Sequence, residues 1–358
     1  MRICFISLGT FTHIGPYLDY FKEAGHDVHF VSLSPGPERD VPTYNVGYGK
    51  RYSATEGKWK YPLSMLRARW LIKKLRPDIV HTHYATSGGL TGVVCGFHPT
   101  IVTVHGSDLT MGIKSRIWRA LLKTVFNHAD YVNTVSEDLK DMVLSLGICP
   151  DKVEVLTLGV DTEKFAYVER AEIDRTKPLR LVCTRRLEHV YDHLTIIKAL
   201  AILKEKSVKF HMTFVGDGSL RNDLEELTGH CGLREHVTFV GAIDNDELPQ
   251  ILSEHDVYLS ASLWDGTSLC LLEAMATGLF PIVSGIKANS SWIEHGVTGF
   301  LHKVSESDDL ARYILKLHDT PQLMINASKI NRKKVVESGD RRTNMELLEK
   351  IYAKLIKD

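Results

Sequence analysis

The stretch SLWDGTSLCLLEAMATGLFP, residues 262–281, decides the fold of this sequence. The apolar run Val257–Leu259 predicts a strand before it, and Phe280–Val283 predicts a strand at its end. Thr267 and Ser268 suit the N-cap of a helix between the two strands. Near-continuous apolar strands that alternate with helices are typical of a parallel sheet covered on both faces. The stretch therefore predicts an α/β fold.

The same alternation runs along the chain and restarts once, which favours two doubly wound halves in tandem. The first half has predicted strands at Ile3–Ser7, Asp27–Val31, Ile79–Thr82, Ile101–Val104, Tyr131–Thr134 and Val153–Leu156. The second half has them at Leu179–Cys183, Lys209–Val215, Val237–Val240, Val257–Leu259 and Phe280–Val283. Helices are predicted at Tyr17–Ala24, Leu63–Leu75, Ser115–Asn127, Leu194–Lys204 and Leu220–Thr228.

A chain of 358 residues is too long for one ordinary core and predicts two domains of roughly 150 to 200 residues each. We expect a first domain at 1–165 and a second at 170–339, joined through the polar stretch 161–177. A last helix within 340–358 is expected to pack back towards the first domain. Because parallel sheets bind ligands beyond the carboxyl ends of their strands, the expected site is the cleft between the two domains.

Composition excludes several classes of protein. The 44 Lys and Arg residues balance 44 Asp and Glu residues, which argues against binding nucleic acid through bulk charge. No apolar run reaches the roughly 18 residues that span a bilayer, and the N-terminal run is too short for a signal peptide. The six cysteines are scattered without a C-x-x-C pair, which favours reduced thiols in a cytoplasmic protein.

Two carboxylates lie eight positions apart in the opening stretch. Asp265 is expected on the loop after a strand, and Glu273 two turns into the following helix. Gly266 allows the backbone to approach a ligand, and the helix N-terminus carries partial positive charge that favours anions. The spacing alone is equally compatible with a capped core helix beside an exposed aspartate.

The stretch resembles the motif E-G-[FST]-x-L-x-x-L-E-A-M-A-x-G-x-P of retaining GT-B glycosyltransferases of family four, the E-x7-E type. Other matches follow in the family's order over nearly the whole chain. They are Gly25–Val28, Pro77–His83, His105–Asp108, Val135–Glu137, Leu158–Asp161 with Phe165, Arg186–Leu187, Val215–Gly218 and Gly296–Leu301. The resemblance implies two Rossmann-like domains, with a nucleotide-diphosphate sugar of UDP or GDP type held by the second domain.

The resemblance also implies roles for individual residues. Glu273 would accept hydrogen bonds from the donor ribose, Asp265 would hold the transferred sugar, and Arg186 would neutralise the leaving diphosphate. Retention in this family has no agreed nucleophile, so catalysis here means positioning. Further donor contacts would come from Gly216 and from the backbone of Gly266, Thr267, Ser268 and Leu269.

Two positions depart from the family pattern. Asp265 stands where glutamate is usual, and Tyr191 stands where a lysine usually follows the arginine by five residues. A tyrosine cannot supply the fixed positive charge of that lysine. Arg185, in a place usually held by glycine, is one possible substitute; weaker contacts to the leaving group and a different donor are the others.

In the first domain, the resemblance places His105 beside the donor sugar as a neutral group that orients a hydroxyl. Gly15 would offer backbone N–H groups to the diphosphate, and His13 faces either the acceptor or solvent. Asp108 is expected to cap a helix. A metal site at His81, His83 and His105 is not expected, because the sequence offers no third ligand at suitable spacing to the first two.

The segment 50–76 holds nine basic residues and one acidic residue, with Trp59, Tyr61 and Trp70 interleaved. One interpretation is a face that binds an anionic membrane near a lipid-linked acceptor. The other is a solvated helix whose Leu63, Leu66 and Trp70 pack on the core.

The sequence thus predicts a retaining, metal-independent glycosyltransferase that uses no cofactor. It would act on a hydroxyl acceptor in surface polysaccharide, glycolipid or glycoconjugate synthesis, in the cytoplasm or on the cytoplasmic membrane face. The alternatives are a GT-B sugar-nucleotide 2-epimerase and a non-catalytic protein that binds nucleotide sugars. Donor turnover distinguishes all three.

Overall fold

A computed structural model describes residues 1–9, 12–47, 61–110, 113, 115–169 and 177–357. They form two compact units, the first of residues 1–158 with 342–358 and the second of residues 159–341. Each unit is built on its own parallel sheet. We describe the two units separately.

The first unit has a sheet whose seven described strands lie in the order β3-β2-β1-β4-β5-β6-β7, all parallel. The strands are β1 (Arg2–Ser7), β2 (Asp27–Ser32), β3 (Thr43–Asn45), β4 (Ile79–His83), β5 (Thr100–Val104), β6 (Tyr131–Thr134) and β7 (Val153–Val155). The helices are α1 (Gly15–Glu23), α2 (Tyr61–Leu75), α3 (Leu90–Cys95), α4 (Ser107–Thr110), α5 (Arg116–His128) and α6 (Glu137–Leu144). The C-terminal helix (Arg341–Lys357) also lies in this unit, apart from its first residue.

The second unit repeats the arrangement with six described strands in the order β10-β9-β8-β11-β12-β13. The strands are β8 (Leu179–Cys183), β9 (Phe210–Val215), β10 (Val237–Gly241), β11 (Val257–Ser260), β12 (Phe280–Ser284) and β13 (Phe300–His302). The helices are α7 (His193–Glu205), α8 (Arg221–His230), α9 (Leu248–Ser253), α10 (Leu269–Thr277), α11 (Lys287–Ser290), α12 (Ser307–Asp319) and α13 (Gln322–Ser338).

Helix α12 shows how the sequence dictates this packing. Its buried residues Leu310, Ala311, Ile314 and Leu317 follow the helical spacing of an apolar stripe. They join one large apolar cluster with strand residues such as Phe280. The two-sided cover of the sheet explains why its strands are apolar throughout rather than alternating.

The predicted linker over 161–177 is in part a packed segment. Phe165 is fully buried, and the Arg332 guanidinium donates to the backbone oxygens of Phe165 and Thr162, both at 2.8 Å. Residues 161–169 therefore belong to the second unit, and residues 170–176 lie outside the described chain.

In both sheets the strand order reverses beside the first strand of the unit, between β1 and β4 and between β8 and β11. At such a point the loops that follow the two strands diverge and leave a crevice for a ligand. The side chains that follow β8 and β11 are therefore the first to consider.

Candidate functional site

An ion pair occupies the point of reversal in the second unit. Arg185 follows β8 and Asp265 follows β11, and these strands are neighbours in the sheet. The Arg185 guanidinium is paired with the Asp265 carboxylate, and its Nη2 lies 3.4 Å from the Ser262 hydroxyl. The two charged side chains are only 9% and 17% exposed. Two largely buried opposite charges thus meet where the fold places a ligand.

Tyr191 covers the same guanidinium. It ends the short 3-10 turn His189–Tyr191, and the centre of its ring lies 4.4 Å from Cζ of Arg185. A cation over an aromatic face at this distance is stabilised by the quadrupole of the ring. The residue that stands where a lysine is usual therefore contacts the neighbouring arginine.

Arg186, the predicted partner of the diphosphate, is placed differently. Its side chain is 75% exposed and its Nη2 lies 3.5 Å from Oε1 of Glu188. Glu188 in turn accepts a hydrogen bond from the Ser219 hydroxyl at 2.7 Å. Of the two consecutive arginines, Arg185 is the one that meets Asp265.

The loop after β9 packs directly on the arginine loop. Gly216 has φ +136°, and a Cβ at this position would lie 2.7 Å from the carbonyl oxygen of Arg185. A Cβ at Gly218 would lie 2.3 Å from the carbonyl oxygen of Leu187. Both glycines are required for this contact between the two loops, which fixes the position of the Arg185 backbone.

Helix α10 begins as the sequence predicts. The Ser268 hydroxyl accepts from the backbone N–H of Leu271 at 3.2 Å, and Oδ1 of Asp265 accepts from Gly266 at 2.9 Å. Leu269 packs partly against an apolar cluster of the second unit. The N-terminal cap holds the loop with Asp265 and Gly266 in place at the end of the helix.

Glu273 lies in α10 with only 9% of its surface exposed. Burial raises the pKa of this carboxyl to about 7, although Arg341, Arg185 and Lys164 act in the opposite direction. A buried acidic side chain with a raised pKa, on the helix that follows the Asp265 loop, is a candidate ligand-binding position.

In the first unit, the structure brings together the histidines that the sequence singles out. Nε2 of His105 lies 3.0 Å from Nδ1 of His83, and the rings of His13 and Tyr84 stack on the His105 ring at 5.7 and 4.4 Å. Burial lowers the pKa of both His83 and His105 well below the usual value. His105 is therefore neutral and suited to orienting a hydroxyl.

The histidine cluster continues to the C-terminal helix. The His81 and His83 rings stack at 4.3 Å, and His81 contacts the Tyr352 hydroxyl through Nδ1 and the Thr103 hydroxyl through Nε2 at 2.7 Å. Burial lowers the pKa of His81 to about 3. Among the described residues, no group of three or more His, Cys, Asp or Glu side chains is arranged to hold a metal ion.

Asp108 stabilises the turn that follows β5 through hydrogen bonds to the backbone. Its carboxylate accepts from the backbone N–H of Gly106 at 2.8 Å and of Ala85 at 2.7 Å. It therefore ties the turn after β5 to the segment after β4, instead of capping a later helix. This turn carries His105.

Arg39 is a positively charged side chain near Gly15 that the sequence did not identify as part of the site. A Cβ on Gly15, at the start of α1, would lie 3.2 Å from Nη1 of Arg39. Arg39 also donates to the Gly9 carbonyl at 3.4 Å. It comes from a segment without periodicity, so no sequence pattern could place it at this loop.

Comparisons with known proteins cover both halves of the chain. The family model described as "Glycosyltransferase Family 4" matches residues 9–164, and the model described as "Glycosyl transferases group 1" matches residues 168–334. Together they span both units, in the order expected for the predicted fold.

Individual relatives agree with these matches. A UDP-Gal:alpha-D-GlcNAc-diphosphoundecaprenol alpha-1,3-galactosyltransferase of Escherichia coli is 29% identical over 82% of this chain and 79% of its own. Among solved structures, a sucrose-phosphate synthase of Thermosynechococcus elongatus superposes with a TM-score of 0.84 at 19% identity, over 100% of this chain and 99% of its own. The HepE protein of Anabaena in complex with UDP gives 0.81 at 17% identity, over 99% and 100%.

The predicted α/β fold of two Rossmann-like domains is confirmed as GT-B. The chain is a glycosyltransferase of the family-four type.

The buried carboxyl of Glu273 makes stability depend on pH in a defined direction. In the unfolded chain the group ionises near 4.5, whereas in the folded protein it keeps its proton until about 7. Between these values the folded form holds the extra proton, so stability falls as pH rises through this window and is level above it. Replacing Glu273 by glutamine removes the penalty of ionisation and is worth up to roughly 3 kcal/mol above pH 7.

We therefore expect the melting temperature of Glu273→Gln to equal that of the wild type near pH 4.5 and to exceed it at pH 8. Calorimetry across this range measures the difference. The exposed Glu235→Gln serves as the matched control and should show no such trend. An equal offset between Glu273→Gln and wild type at both ends of the range would contradict the assignment.

Proposed function

We propose that this protein transfers a sugar, with retention at the anomeric carbon, from a nucleotide-diphosphate sugar of UDP or GDP type to a hydroxyl acceptor. The observation that carries the proposal is the ion pair of Arg185 and Asp265 at the point of reversal in the second sheet, with Glu273 buried in the helix that follows and subject to the charge of Arg185. Together these residues offer a cation for a diphosphate and two carboxylates for hydroxyls. Glycosyl transfer requires both, because charge develops on the leaving diphosphate and on the sugar.

The donor roles follow from this placement. Glu273 accepts from the ribose hydroxyls once it is ionised, since a carboxylate is then acceptor-only. Asp265 holds the transferred sugar, and Arg185 with the exposed Arg186 meets the diphosphate. The remaining contacts come from Gly216 and from the backbone of Gly266, Thr267, Ser268 and Leu269.

The first unit supplies neutral groups. His105 orients a hydroxyl of the sugar, and its contact with His83 holds the ring in place. Gly15 offers backbone N–H groups at the start of α1. The acceptor hydroxyl attacks the anomeric carbon on the face from which the diphosphate leaves and passes its proton to the leaving phosphate oxygen. The glycosidic bond thus forms as the bond between carbon and phosphate oxygen breaks, and the configuration is retained without a protein nucleophile. Arginine charge, in place of a metal ion, balances the leaving group.

UDP is the favoured nucleotide and a lipid-linked sugar the favoured acceptor. The HepE structure contains UDP, and the relative from Escherichia coli is named for UDP-Gal and a diphosphoundecaprenol acceptor. Such an acceptor lies at a membrane, so the surface of the first unit becomes relevant.

Helices α2 and α5 carry an apolar and basic surface that suits an anionic bilayer. Both pack against α3, and neither contains an acidic residue. Six exposed apolar side chains lie on them: Leu63 (47%), Leu66 (57%), Trp70 (64%), Ile117 (74%), Trp118 (40%) and Leu121 (37%). The core packing considered for Leu63, Leu66 and Trp70 is therefore wrong. Residues 50–60 of the basic segment lie outside the described chain.

This surface supports peripheral binding at the cytoplasmic membrane face. Exposed tryptophans beside lysines and arginines are typical of interfacial helices, and each basic residue near anionic lipid adds attraction. In the part of the chain that the structure describes, no helix is long and apolar enough to cross a membrane.

A donor screen tests the proposed activity. The matched nucleotide sugar should raise the melting temperature according to its concentration relative to its Kd, and should be turned over. We expect Glu273→Ala to weaken UDP binding by about tenfold through loss of charged hydrogen bonds. Asp265→Ala should lower turnover strongly without weakening the binding of UDP. Binding without any turnover would favour a non-catalytic protein, and full activity of Asp265→Ala would remove its role in holding the sugar.

Vesicle co-sedimentation tests the membrane surface. Wild type should bind vesicles of phosphatidylglycerol and phosphatidylcholine at low salt and be released as salt rises. Lys73→Glu with Lys74→Glu should weaken binding by at least roughly fivefold for each lysine replaced, because each replacement reverses a charge. Trp70→Ala with Trp118→Ala should weaken it as well, whereas the exposed Ile330→Ala of α13 is the control and should bind as wild type does. Failure of the wild type to bind at low salt would overturn the proposal.

A further inference from the structure

We propose that Arg185 supplies the diphosphate-binding charge that a lysine at position 191 would otherwise provide, and that Tyr191 is a positioning residue for its guanidinium. This inference rests on the proposed function, because it concerns how the same site binds its donor. Both residues that depart from the family pattern, Tyr191 and Asp265, contact Arg185. The inference explains the two departures together through this arginine.

The contacts of Arg185 define a built site. Its Cζ lies over the Tyr191 ring, 4.4 Å from the ring centre, and its Nη2 pairs with Oδ2 of Asp265. Its Nε is buried and has no hydrogen-bond partner among the described residues. A buried guanidinium with an unsatisfied N–H has capacity for a further acceptor.

The backbone beneath Arg185 is fixed. Gly216 and Gly218 press against the carbonyls of Arg185 and Leu187, and Leu187 donates to the carbonyl of Asp217 at 3.1 Å. Arg185 therefore cannot move away from the point of reversal without separating two packed loops. Arg186, which is 75% exposed, has no comparable constraint from its side-chain contacts.

A lysine at 191 would conflict with this arrangement. Its ammonium group would replace a ring that now lies 4.4 Å from a buried guanidinium, and two cations at such a distance repel each other. A neutral aromatic ring attracts the guanidinium instead. The chain thus keeps one buried cation at this site, carried by Arg185 rather than by residue 191.

Asp265 then has two successive partners. Without donor it neutralises Arg185. When a diphosphate binds the Arg185 guanidinium in place of Asp265, the carboxylate becomes able to accept hydrogen bonds from the hydroxyls of the sugar. A nucleoside diphosphate without a sugar displaces Asp265 from Arg185 but offers Asp265 no sugar hydroxyl as a new hydrogen-bond donor. The carboxylate therefore opposes the binding of UDP alone. Removing the charge of Asp265 should therefore strengthen the binding of UDP while it impairs the handling of the sugar.

Calorimetric titration with UDP and with uridine isolates the diphosphate contacts, and GDP with guanosine forms the second pair. In wild type the diphosphate should bind far more tightly than its nucleoside. In Arg185→Ala we expect UDP affinity to fall by at least about tenfold, from the loss of charged hydrogen bonds, with uridine affinity unchanged. The exposed Arg312→Ala of α12 is the matched control.

Position 191 provides the decisive comparison. Tyr191→Ala should lower UDP affinity by roughly three- to tenfold relative to the wild type. Tyr191→Phe keeps the aromatic ring and should therefore lose much less UDP affinity than Tyr191→Ala. The double variant Arg185→Ala with Tyr191→Lys should regain UDP affinity over Arg185→Ala alone, because the charge returns at the other position. Asp265→Asn should bind UDP several-fold more tightly than wild type.

Different results would contradict the inference, the role of the ring and the proposed function. An unchanged ratio of UDP to uridine affinity in Arg185→Ala would overturn the inference, as would a folded double variant that regains nothing. Equal losses in Tyr191→Phe and Tyr191→Ala would remove the role of the ring. A wild type that binds none of the four probes would instead overturn the proposed function. Circular dichroism of each variant separates these results from a failure to fold.

Discussion

The structure of the second unit depends on how a buried positive charge is accommodated at the carboxyl ends of its neighbouring strands β8 and β11. Arg185 is 8% exposed, and a guanidinium removed from water is costly unless charges or hydrogen bonds compensate it. Asp265 provides the opposite charge and Tyr191 provides an aromatic face. Gly216 is necessary for the same reason, since any side chain there would displace the backbone from which Arg185 extends. Residues far apart in sequence are thus constrained by one group.

The sequence predicts the fold well because its strongest signals are local. Apolar runs bounded by polar loops give the strands of both units to within about two residues, since such runs cannot be exposed without cost. The edge strands β3 and β13, of three residues each, are not among the predicted strands. The N-cap at Ser268 is found because its hydroxyl acts within its own turn.

The site is predicted less completely, for a physical reason. A motif gives the order of residues, but the loop geometry decides which side chain turns inward. Of two consecutive arginines the sequence favours Arg186, whereas packing of the loop after β9 leaves Arg185 at the ion pair. Likewise, helical spacing of Leu63, Leu66 and Trp70 is typical of a core face, yet that face of α2 is exposed. Arg39 reaches Gly15 only through tertiary packing.

The two units differ in the charge of the side chains that follow their strands. In the first unit, burial keeps His81, His83 and His105 neutral, so these rings can orient hydroxyls but add no positive charge. In the proposed transfer, the leaving diphosphate carries negative charge that neutral imidazoles do not balance. Under that proposal much of the requirement falls on the second unit, where a cation is buried at low cost only with a counter-ion beside it. The pair of Arg185 and Asp265 meets this condition. Asp265 stabilises the buried cation, and in the proposed function the same carboxylate accepts from the hydroxyls of the sugar.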